Sequence, residues 1–339
     1  MMENLKPALT RLAARQPLDC DMAEQAIALI IEGKTSAVQT AAFLMGLRAR
    51  GETKDELLGA ARAMRLRMTS LHAPDNAMDI VGTGGDNSGS YNISTAVALT
   101  VAACGVPVAK HGNRSVTSQS GAADVLQALG VNLDCDFARL EQSLTETGVC
   151  FLMAPRHHPA MKVVAPIRQE LGTRTLFNLL GPLTNPAAVR RQLVGVFAKE
   201  WLVPFAEVLR DLGSTSAWIV HGEDGMDEIT TTGKTFVAEL KDGNIRTFEI
   251  HPEDAGLFTT RVGELRGGDA ATNATALKAV LAGAQNAYRN IVLFNAAAAL
   301  IVAGKAATLR AGVELARDAL DSGRVRSVLD RLVSITSAA

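Results

Sequence analysis

The first seventy or so residues of the chain repeat apolar side chains at helical spacing, behind polar residues that mark helix starts. Capping boxes are expected at Asp21 with Glu24, at Ser36 with Gln39, and at Thr53 with Glu56. The apolar stripes behind these starts are Ala23, Ile27, Ile30 and Ile31; Val38, Ala41, Ala42 and Met45; and Leu57, Ala61, Met64 and Met68. We predict a helical N-terminal domain whose apolar faces form its core, with a subunit contact as the alternative.

From Met78 onward, short apolar strands alternate with helical stretches. The predicted strands are residues 79–81, 106–109, 150–153, 193–196 and 217–220. Two further strands, 235–240 and 245–250, flank a turn at 241–244 and predict an antiparallel hairpin. The alanine-rich segment 295–307 is expected to be a packed helix. The predicted fold class is α/β, a mainly parallel sheet flanked by helices, with a smaller all-helical N-terminal domain.

Composition limits the kinds of ligand. The chain of 339 residues has 34 Lys and Arg against 35 Asp and Glu, a formal net charge of −1. This balance gives no general attraction to nucleic acid or to an anionic membrane, so neither is expected as a partner. An anionic ligand must therefore be bound by a local site.

The cysteines and the apolar segments of the chain indicate the cellular compartment of the protein. Cys20, Cys104, Cys135 and Cys150 show no metal-site spacing, and buried free thiols in a reducing environment are expected. The N-terminus lacks the apolar stretch of a signal peptide, and the longest apolar run, 96–109, is interrupted by polar, glycine and proline residues. We expect a soluble cytoplasmic protein.

A glycine-rich loop follows the first predicted strand. Gly82, Gly84 and Gly85 allow backbone amides to approach phosphate oxygens, and the next helix begins directly after the loop. The dinucleotide fingerprint is absent because Asn87 stands where it requires glycine. The two Gly-Lys-Thr segments lack the upstream glycine of a Walker loop. A bare Gly-Thr-Gly-Gly would be a structural turn, but the adjacent polar residues favour phosphate binding: Asp86, Ser90, Asn92, Ser94 and Thr95.

Two other segments carry candidate chemistry. The second strand leads into Lys110 and His111 and then a polar loop up to Ser118, at the strand end where parallel sheets bind ligands. A solvated charged loop is the alternative, and it is less favoured because loops often carry function. Asp227 and Glu228 follow a later strand and suit Mg²⁺, although an isolated acidic pair is usually surface charge.

Together these segments resemble the anthranilate phosphoribosyltransferase family. The resemblance covers nearly the whole chain and includes residues 165–168 and 175–186, a stretch characteristic of that family. It implies transfer of the phosphoribosyl group of phosphoribosyl pyrophosphate (PRPP) to anthranilate, with release of pyrophosphate, the second step of tryptophan biosynthesis from chorismate. It also implies two Mg²⁺ ions per subunit and a homodimer that forms through the helical domain.

The resemblance also implies how the chain is divided. The helical domain is expected to comprise residues 1–72, completed by helices near 159–190. The α/β domain is expected to comprise residues 73–158 and 191–339. The active site is expected in the cleft between them.

The site residues follow from the resemblance, position by position. The residues expected to bind PRPP are Gly82, Gly85, Asp86, Ser90, Asn92, Ile93, Ser94, Thr95, Lys110, Gly112, Asn113, Arg114, Ser115, Thr117, Ser118 and Ala122. Anthranilate is expected to meet Gly82, His111, Asn113, His158, Arg168 and Gly181, with the planar Arg168 fork suited to a carboxylate. The expected metal ligands are Ser94, Asp227 and Glu228, and Lys110 and His111 are the catalytic candidates.

Two other functions remain open. A pyrimidine nucleoside phosphorylase shares the implied fold and a Lys-His pair, but needs no Mg²⁺ and has a longer glycine loop than Gly84-Gly85-Asp86. A non-catalytic nucleic-acid-binding relative would need clustered cations. The chain offers only Arg190 and Arg191, and the group Arg62, Arg65 and Arg67, whose helical spacing indicates a solvated face.

Overall fold

The computed structural model describes residues 2–86, 88–114 and 119–338. The first half contains the helices and strands α1 (Lys6–Ala13), α2 (Cys20–Ile31), α3 (Ala37–Arg50), α4 (Lys54–Arg65), β1 (Met78–Gly82), α5 (Ile93–Ala103), β2 (Val108–Gly112), α6 (Ala122–Ala128), α7 (Phe137–Thr147), β3 (Val149–Met153), α8 (Ala154–His157), α9 (Met161–Leu171) and α10 (Phe177–Leu180).

The second half contains β4 (Arg191–Gly195), α11 (Leu202–Asp211), β5 (Ser216–Gly222), β6 (Thr235–Lys241), β7 (Asn244–Ile250), α12 (Ala270–Leu281), α13 (Ala287–Val302), α14 (Leu309–Asp321) and α15 (Arg324–Ser337). Short 3₁₀ helices lie at Gly181–Leu183, Lys199–Trp201, Pro252–Ala255 and Val262–Leu265.

Two of the three predicted helix starts are confirmed. Ser36 and Thr53 form complete capping boxes with Gln39 and Glu56. The box at Asp21 is wrong, because α2 begins earlier. Asp19 has the extended backbone of an N-cap and accepts a hydrogen bond from the Met22 amide at 2.8 Å, so Asp21 lies within the first turn.

The stripe predicted for α3 faces outward. Val38 is 79% exposed and Met45 is 36% exposed, whereas Phe43, Leu44 and Leu47 are fully buried. The sequence of α3 supports two apolar stripes, and the one with the larger side chains packs inward because it removes more apolar surface from water. The outer stripe remains an exposed apolar strip on the helical unit.

The predicted mainly parallel sheet is confirmed. Within the described residues its order is β3-β2-β1-β4-β5-β6-β7, parallel from β3 to β5 and antiparallel from β5 to β7. The β6–β7 hairpin turns at Asp242 and Gly243, which both have left-handed backbone (φ 49° and 81°), as a two-residue hairpin requires.

Some predicted boundaries were displaced. β2 begins at Val108 and not at residue 106, because Pro107 has no amide to donate to the ladder. β4 covers 191–195 and not 193–196, so it begins two residues earlier than predicted. The helix predicted at 295–307 begins eight residues earlier and ends at Val302, shortly before Gly304 adopts φ 76°.

The two faces of the sheet pack against different helices. Ile80, Leu193 and Trp218 join the cluster that contains α5, α13, α14 and α15. Val81, Val194 and Ile219 point the other way and join the cluster that contains α11 and the N-terminal helices. This alternation follows from the two-residue period of a strand, and it buries both faces of the sheet.

The order of the strands places a ligand site. After β1 the chain moves outward to β2 and β3, and it then returns to place β4 on the other side of β1. The loops after β1 and β4 therefore diverge and leave a crevice at the carboxyl ends of these strands.

All four cysteines are free thiols. Cys135 and Cys150 are buried as expected, but Cys20 and Cys104 are only half-buried. Among residues 2–86, 88–114 and 119–338, no helix combines the length and the apolar character needed to cross a bilayer.

Candidate active site

The glycine loop after β1 is held against the loop that carries the adjacent carboxylates. Gly84 and Gly85 have left-handed backbone, with φ 68° and 77°. The Gly84 amide donates to Asp227 Oδ2 at 2.7 Å, and Asp86 Oδ2 accepts from the Asp227 amide at 3.4 Å. The two loops, 143 residues apart in sequence at the Gly84 contact, form one surface.

Two glycines at the same level of the sheet make this approach possible. Gly82 ends β1 and pairs in register with Gly195, which ends β4. A Cβ on Gly195 would overlap the Asp227 carbonyl oxygen, and a Cβ on Gly82 would overlap the Asp227 carboxylate. The carboxylate loop therefore lies across the ends of both strands, at the crevice that the strand order predicts.

Among the described residues, the carboxylates in this crevice form no ion pair. Burial raises the pKa of Asp227 to about 7, and the charge of Asp86 adds to that rise. Burial and the charge of Asp227 also raise the pKa of Glu228 well above its ordinary value, while Lys110 opposes the rise. Such a site is expected to attract a divalent cation.

The donor set fits Mg²⁺ bound partly by substrate. In the part of the chain that the structure describes, no three His, Cys, Asp or Glu side chains converge to hold a metal. Mg²⁺ commonly takes one or two carboxylates and completes its shell with phosphate oxygens and water. Asp227 and Glu228 meet this need, with the hydroxyl of Ser94 as a further oxygen donor near Lys110.

Lys110 lies beneath the start of α5. Its Nζ donates to the Ile80 carbonyl at 2.6 Å and to Ser94 Oγ at 3.1 Å, and the side chain is buried. Burial lowers the pKa of Lys110, while the carboxylates of Asp79, Glu228 and Asp227 act in the opposite direction. The lysine thus places a cation close to the glycine loop and to both candidate metal ligands.

Asp79, a buried residue of β1, binds the backbone of β2 and the side chain of Asn185. Its Oδ1 accepts from the His111 backbone amide at 3.1 Å, and its Oδ2 accepts from Asn185 Nδ2 at 2.8 Å. Burial raises the pKa of Asp79 to about 6, and Lys110 opposes that shift. Because Asn185 also donates to the Ala109 carbonyl at 2.8 Å, this network fixes the strand that delivers Lys110 and His111.

His111 and His158 form a pair of neutral imidazoles. His111 Nδ1 donates to the Gly181 carbonyl at 2.9 Å, and the ring centroids of the two histidines are 5.2 Å apart. Burial lowers the pKa of His111 to about 3 and the pKa of His158 to about 4. Among the described residues, Nε2 of His111 has no hydrogen-bond partner, and the ring of His158 makes at most a weak contact with the Thr184 backbone, which slightly opposes the fall of its pKa.

The helical segments around residues 161–183 contain both a free space beside Gly181 and the cation of Arg168. Apart from its chain neighbours and its own helix backbone, no atom of the described residues comes within 4 Å of a Cβ built on Gly181, so its α-carbon faces free space. Arg168 is half-buried, donates to Asn178 Oδ1 at 3.4 Å, and holds its guanidinium carbon 5.6 Å from the Phe177 ring centroid. Burial lowers the pKa of Arg168, and the described residues give it no ion pair.

The remaining predicted residues fall into three groups. Ser90, Asn92 and Thr95 lie around the start of α5, and the buried Thr95 Oγ1 has no partner within the described residues. Ile93 belongs to the hydrophobic core, which leaves its backbone to the site. The third group, in the second loop, is Gly112, Asn113, Arg114 and Ala122.

The second loop does not present all its side chains to the crevice. A Cβ on Gly112 would lie 2.7 Å from Phe151 Cε2, so this position excludes a side chain. Arg114 is exposed and binds Asp124 and Gln127, each at 2.9 Å, and so points toward α6. The predicted ligands Ser115, Thr117 and Ser118 lie outside the described residues.

Several positioning side chains were not predicted. Arg174 donates to the Gly85 carbonyl and places its guanidinium carbon 4.5 Å from the Phe197 ring centroid. Asn295 binds both the amide and the carbonyl of Ile229, at 3.0 and 2.7 Å, directly after the acidic pair. The sequence does mark Asn295, because it is a polar residue in an apolar, alanine-rich stretch.

Comparison with known proteins shows the family of this chain. Residues 6–68 match the family described as "Glycosyl transferase family, helical bundle domain", and residues 74–326 match "Glycosyl transferase family, a/b domain". An anthranilate phosphoribosyltransferase of Azospirillum brasilense is 58% identical over 337 residues, which cover 99% of this chain and 94% of the relative.

Solved structures extend the likeness to the fold. The crystal structure of anthranilate phosphoribosyltransferase from Thermus thermophilus has a TM-score of 0.92 and 41% identity, and covers 99% of this chain and 100% of that chain. The Saccharomyces cerevisiae enzyme in complex with PRPP and Mg has a TM-score of 0.91 and 26% identity, and covers 99% of this chain and 98% of that chain. By sequence identity over its full length and by its fold, this chain belongs to the anthranilate phosphoribosyltransferase family.

Proposed function

We propose that the protein transfers the phosphoribosyl group of PRPP to anthranilate and releases pyrophosphate, the second step of tryptophan biosynthesis from chorismate. The observation that carries this proposal is the contact between the glycine loop and the acidic pair, made through Gly84 and Asp227. A phosphate-type loop and a magnesium-type carboxylate pair on one surface suit a diphosphate substrate with its metal.

PRPP is proposed to lie along the glycine loop and the start of α5. The residues proposed to bind it are the sixteen named from the sequence, from Gly82 to Ala122. Left-handed backbone at Gly84 and Gly85 supports close approach of phosphate, and the unpartnered hydroxyl of Thr95 supports a hydrogen bond from ligand. Arg114 already pairs with Asp124, so PRPP would be bound by the guanidinium N–H groups that this ion pair leaves.

Two Mg²⁺ ions are proposed per subunit, held by Ser94, Asp227 and Glu228 together with PRPP oxygens. The raised pKa values of both carboxyl groups support a cation here, because a divalent ion would relieve their mutual repulsion. When bound, Mg²⁺ supplies positive charge to the departing pyrophosphate.

Anthranilate is proposed to occupy the space beside Gly181. His111, His158 and Arg168, with Gly82 and Asn113, would contact it. The unpartnered Nε2 of His111 and the weakly bonded ring of His158 support a polar aromatic ligand, and the guanidinium of Arg168 supports recognition of its carboxylate. Buried polar groups without partners are uncommon unless a ligand completes them.

The chain's own residues fit a dissociative substitution at C1. The bond from C1 to pyrophosphate breaks and the amine nitrogen bonds to C1, through an oxocarbenium-like state. Lys110 and the loop amides stabilise the departing charge. The amine is already neutral at pH 7, so no base is needed before attack. The neutral His111 either positions the amine or accepts its proton through Nε2 after the attack.

We also propose the domain division, the assembly and the location. Residues 1–72 and helices near 159–190 form the helical domain, and 73–158 with 191–339 form the α/β domain. Contacts of α9 with α2 and α3 support this grouping. The exposed Val38 and Met45 on α3 support a homodimer through the helical domain. Four free thiols support a reducing, cytoplasmic location.

The nucleic-acid alternative is not supported by the arginines that suggested it. Arg65, expected to be on a solvated face, is half-buried and donates to the Leu183 carbonyl at 2.6 Å. Arg190 and Arg191 likewise donate to backbone carbonyls, at 2.9 and 3.0 Å. These side chains already serve the fold and form no free cationic face for phosphates.

The reaction is tested by following anthranilate fluorescence after mixing the protein with PRPP. With Mg²⁺ present the fluorescence is expected to fall, and with Mg²⁺ chelated the rate is expected to drop at least about a hundredfold, because the pyrophosphate charge is then poorly neutralised. A parallel well containing thymidine and phosphate tests the phosphorylase alternative. Cleavage of thymidine without loss of anthranilate would overturn the proposal.

Arg168→Ala is expected to raise the KM for anthranilate by about tenfold or more and the KM for PRPP by less than about twofold. The reason is that a charge-assisted pair with the carboxylate is lost, which costs about 1.5–3 kcal/mol. Steady-state kinetics with each substrate varied checks this. Lys162→Ala, at an exposed position of the same helix, is the control and should change neither KM. Equal losses for both substrates would contradict the carboxylate role.

The buried neutral histidines predict a pH dependence of stability. An unfolded histidine has a pKa near 6.5, whereas burial holds the pKa of His158 at about 4 in the folded protein. Between these values only the unfolded chain binds the proton, so the free energy of unfolding falls as pH falls. From pH 7 to pH 5 this one group accounts for a loss of about 2 kcal/mol.

Denaturant unfolding of wild type and His158→Gln at pH 7 and pH 5 measures this effect. The variant is expected to lose about 2 kcal/mol less than wild type over this interval, because glutamine binds no proton. The other titrating groups remain in both proteins and cancel in the comparison. Identical losses in the two proteins would show that His158 is not held neutral by burial.

A further inference from the structure

A buried asparagine on α12 ties together the loops around the proposed PRPP site. Asn273 lies in the first turn of α12 and is 2% exposed. Its Oδ1 accepts from the Gly268 amide at 2.8 Å, and its Nδ2 donates to Asn92 Oδ1 at 2.8 Å and to Ser120 Oγ at 2.9 Å. One side chain therefore connects the glycine loop, the end of the second loop and the segment before α12.

The polarity of this network is set by the backbone. The Gly268 amide is only a donor, so Oδ1 of Asn273 must face it, and Nδ2 must then face Asn92. Asn92 accepts this hydrogen bond with its Oδ1, so its Nδ2 points away from Asn273. There it donates to the Ser120 carbonyl at 3.3 Å, and its second N–H has no partner within the described part of the chain.

The surroundings leave this arrangement little freedom. The Gly267 amide donates to the Gly89 carbonyl at 2.9 Å. A Cβ on Gly267 would lie 2.8 Å from both Asn273 Oδ1 and the Ser90 carbonyl oxygen, so the segment packs directly on the glycine loop. Tyr288 Oη donates to the Asn92 carbonyl at 3.2 Å, which holds the backbone at the same residue.

We propose that Asn273 is a positioning residue for PRPP: it fixes the amide of Asn92 so that an N–H, and not the carbonyl oxygen, faces the pyrophosphate. The inference rests on the proposed function, because it takes Asn92 as a PRPP ligand. Asn273 itself does not touch the substrate. Without it, only the weaker contacts with Ser120, at 3.3 and 3.5 Å, favour this orientation, and a turned amide presents a lone pair to an anion, which repels.

The test is a double-mutant cycle on PRPP affinity, measured by calorimetric titration in the presence of Mg²⁺. Asn273→Leu removes the hydrogen bonds at similar volume and is expected to weaken PRPP binding about tenfold. In an Asn92→Ala background the same substitution is expected to change the Kd by less than about twofold, because its target is gone. Thr275→Ala, exposed on the same helix, is the control and should bind as wild type does.

A second substitution covers the case in which leucine prevents folding. Asn273→Asp keeps the size of the side chain and the acceptor for the Gly268 amide, but it offers an oxygen to Asn92. The Asn92 amide must then turn its Nδ2 toward this oxygen and its Oδ1 away from it. The loss of PRPP affinity is again expected to be at least about tenfold when Asn92 is present. It is expected to be smaller when the same substitution is made in the Asn92→Ala protein.

The outcomes separate the inference from the function on which it rests. Wild-type protein that fails to bind PRPP with Mg²⁺ contradicts the proposed function. Wild-type binding with losses that are equal in both backgrounds overturns the positioning role, since Asn273 would then act on stability or through another group. Unchanged affinity in the Asn273 variants overturns it as well.

Discussion

The structure depends on one close approach, that of the Asp227 backbone to the ends of two neighbouring strands. The space that a side chain on Gly195 would need is filled by the Asp227 carbonyl oxygen, and Gly82 faces the carboxylate of the same residue. Because these glycines pair in register, the loop that carries Asp227 and Glu228 packs directly against the ends of β1 and β4. This is the point where the strand order reverses. From there the Asp227 carboxylate reaches the Gly84 amide and shapes the glycine loop.

That approach brings buried charges together at an energetic cost. Asp86, Asp227 and Glu228 share a crevice in which Lys110 is the nearby cation, and burial raises the pKa of Asp227 to about 7. Proteins commonly place such perturbed groups where a ligand completes the charge balance. The neutral histidine pair serves the opposite need. In the proposed reaction, the uncharged rings would offer lone pairs and apolar faces to the aromatic amine without repelling the positive charge that develops at C1.

The sequence predicted those features that are contiguous along the chain. The strand, glycine loop and helix start of residues 79–95 lie in one segment, and the register of the hairpin follows from its two-residue turn. Side chains that join distant segments were not predicted. Asn185 meets Asp79 across 106 residues, and Asn273 meets Asn92 across 181 residues, and no local pattern marks either pair. The outward stripe of α3 was also misassigned, because periodicity locates an apolar face but does not say which of two faces is covered.

The approach at Gly195 is tested most directly by Gly195→Ala, with PRPP binding titrated at several Mg²⁺ concentrations. Gly263→Ala is the matched control, since a Cβ there meets no atom within 4 Å. We expect the alanine at 195 to push the Asp227 backbone away and to weaken Mg²⁺-dependent PRPP binding at least about tenfold, while the control binds as wild type does. Wild-type binding by Gly195→Ala would contradict the claim that this contact builds the site.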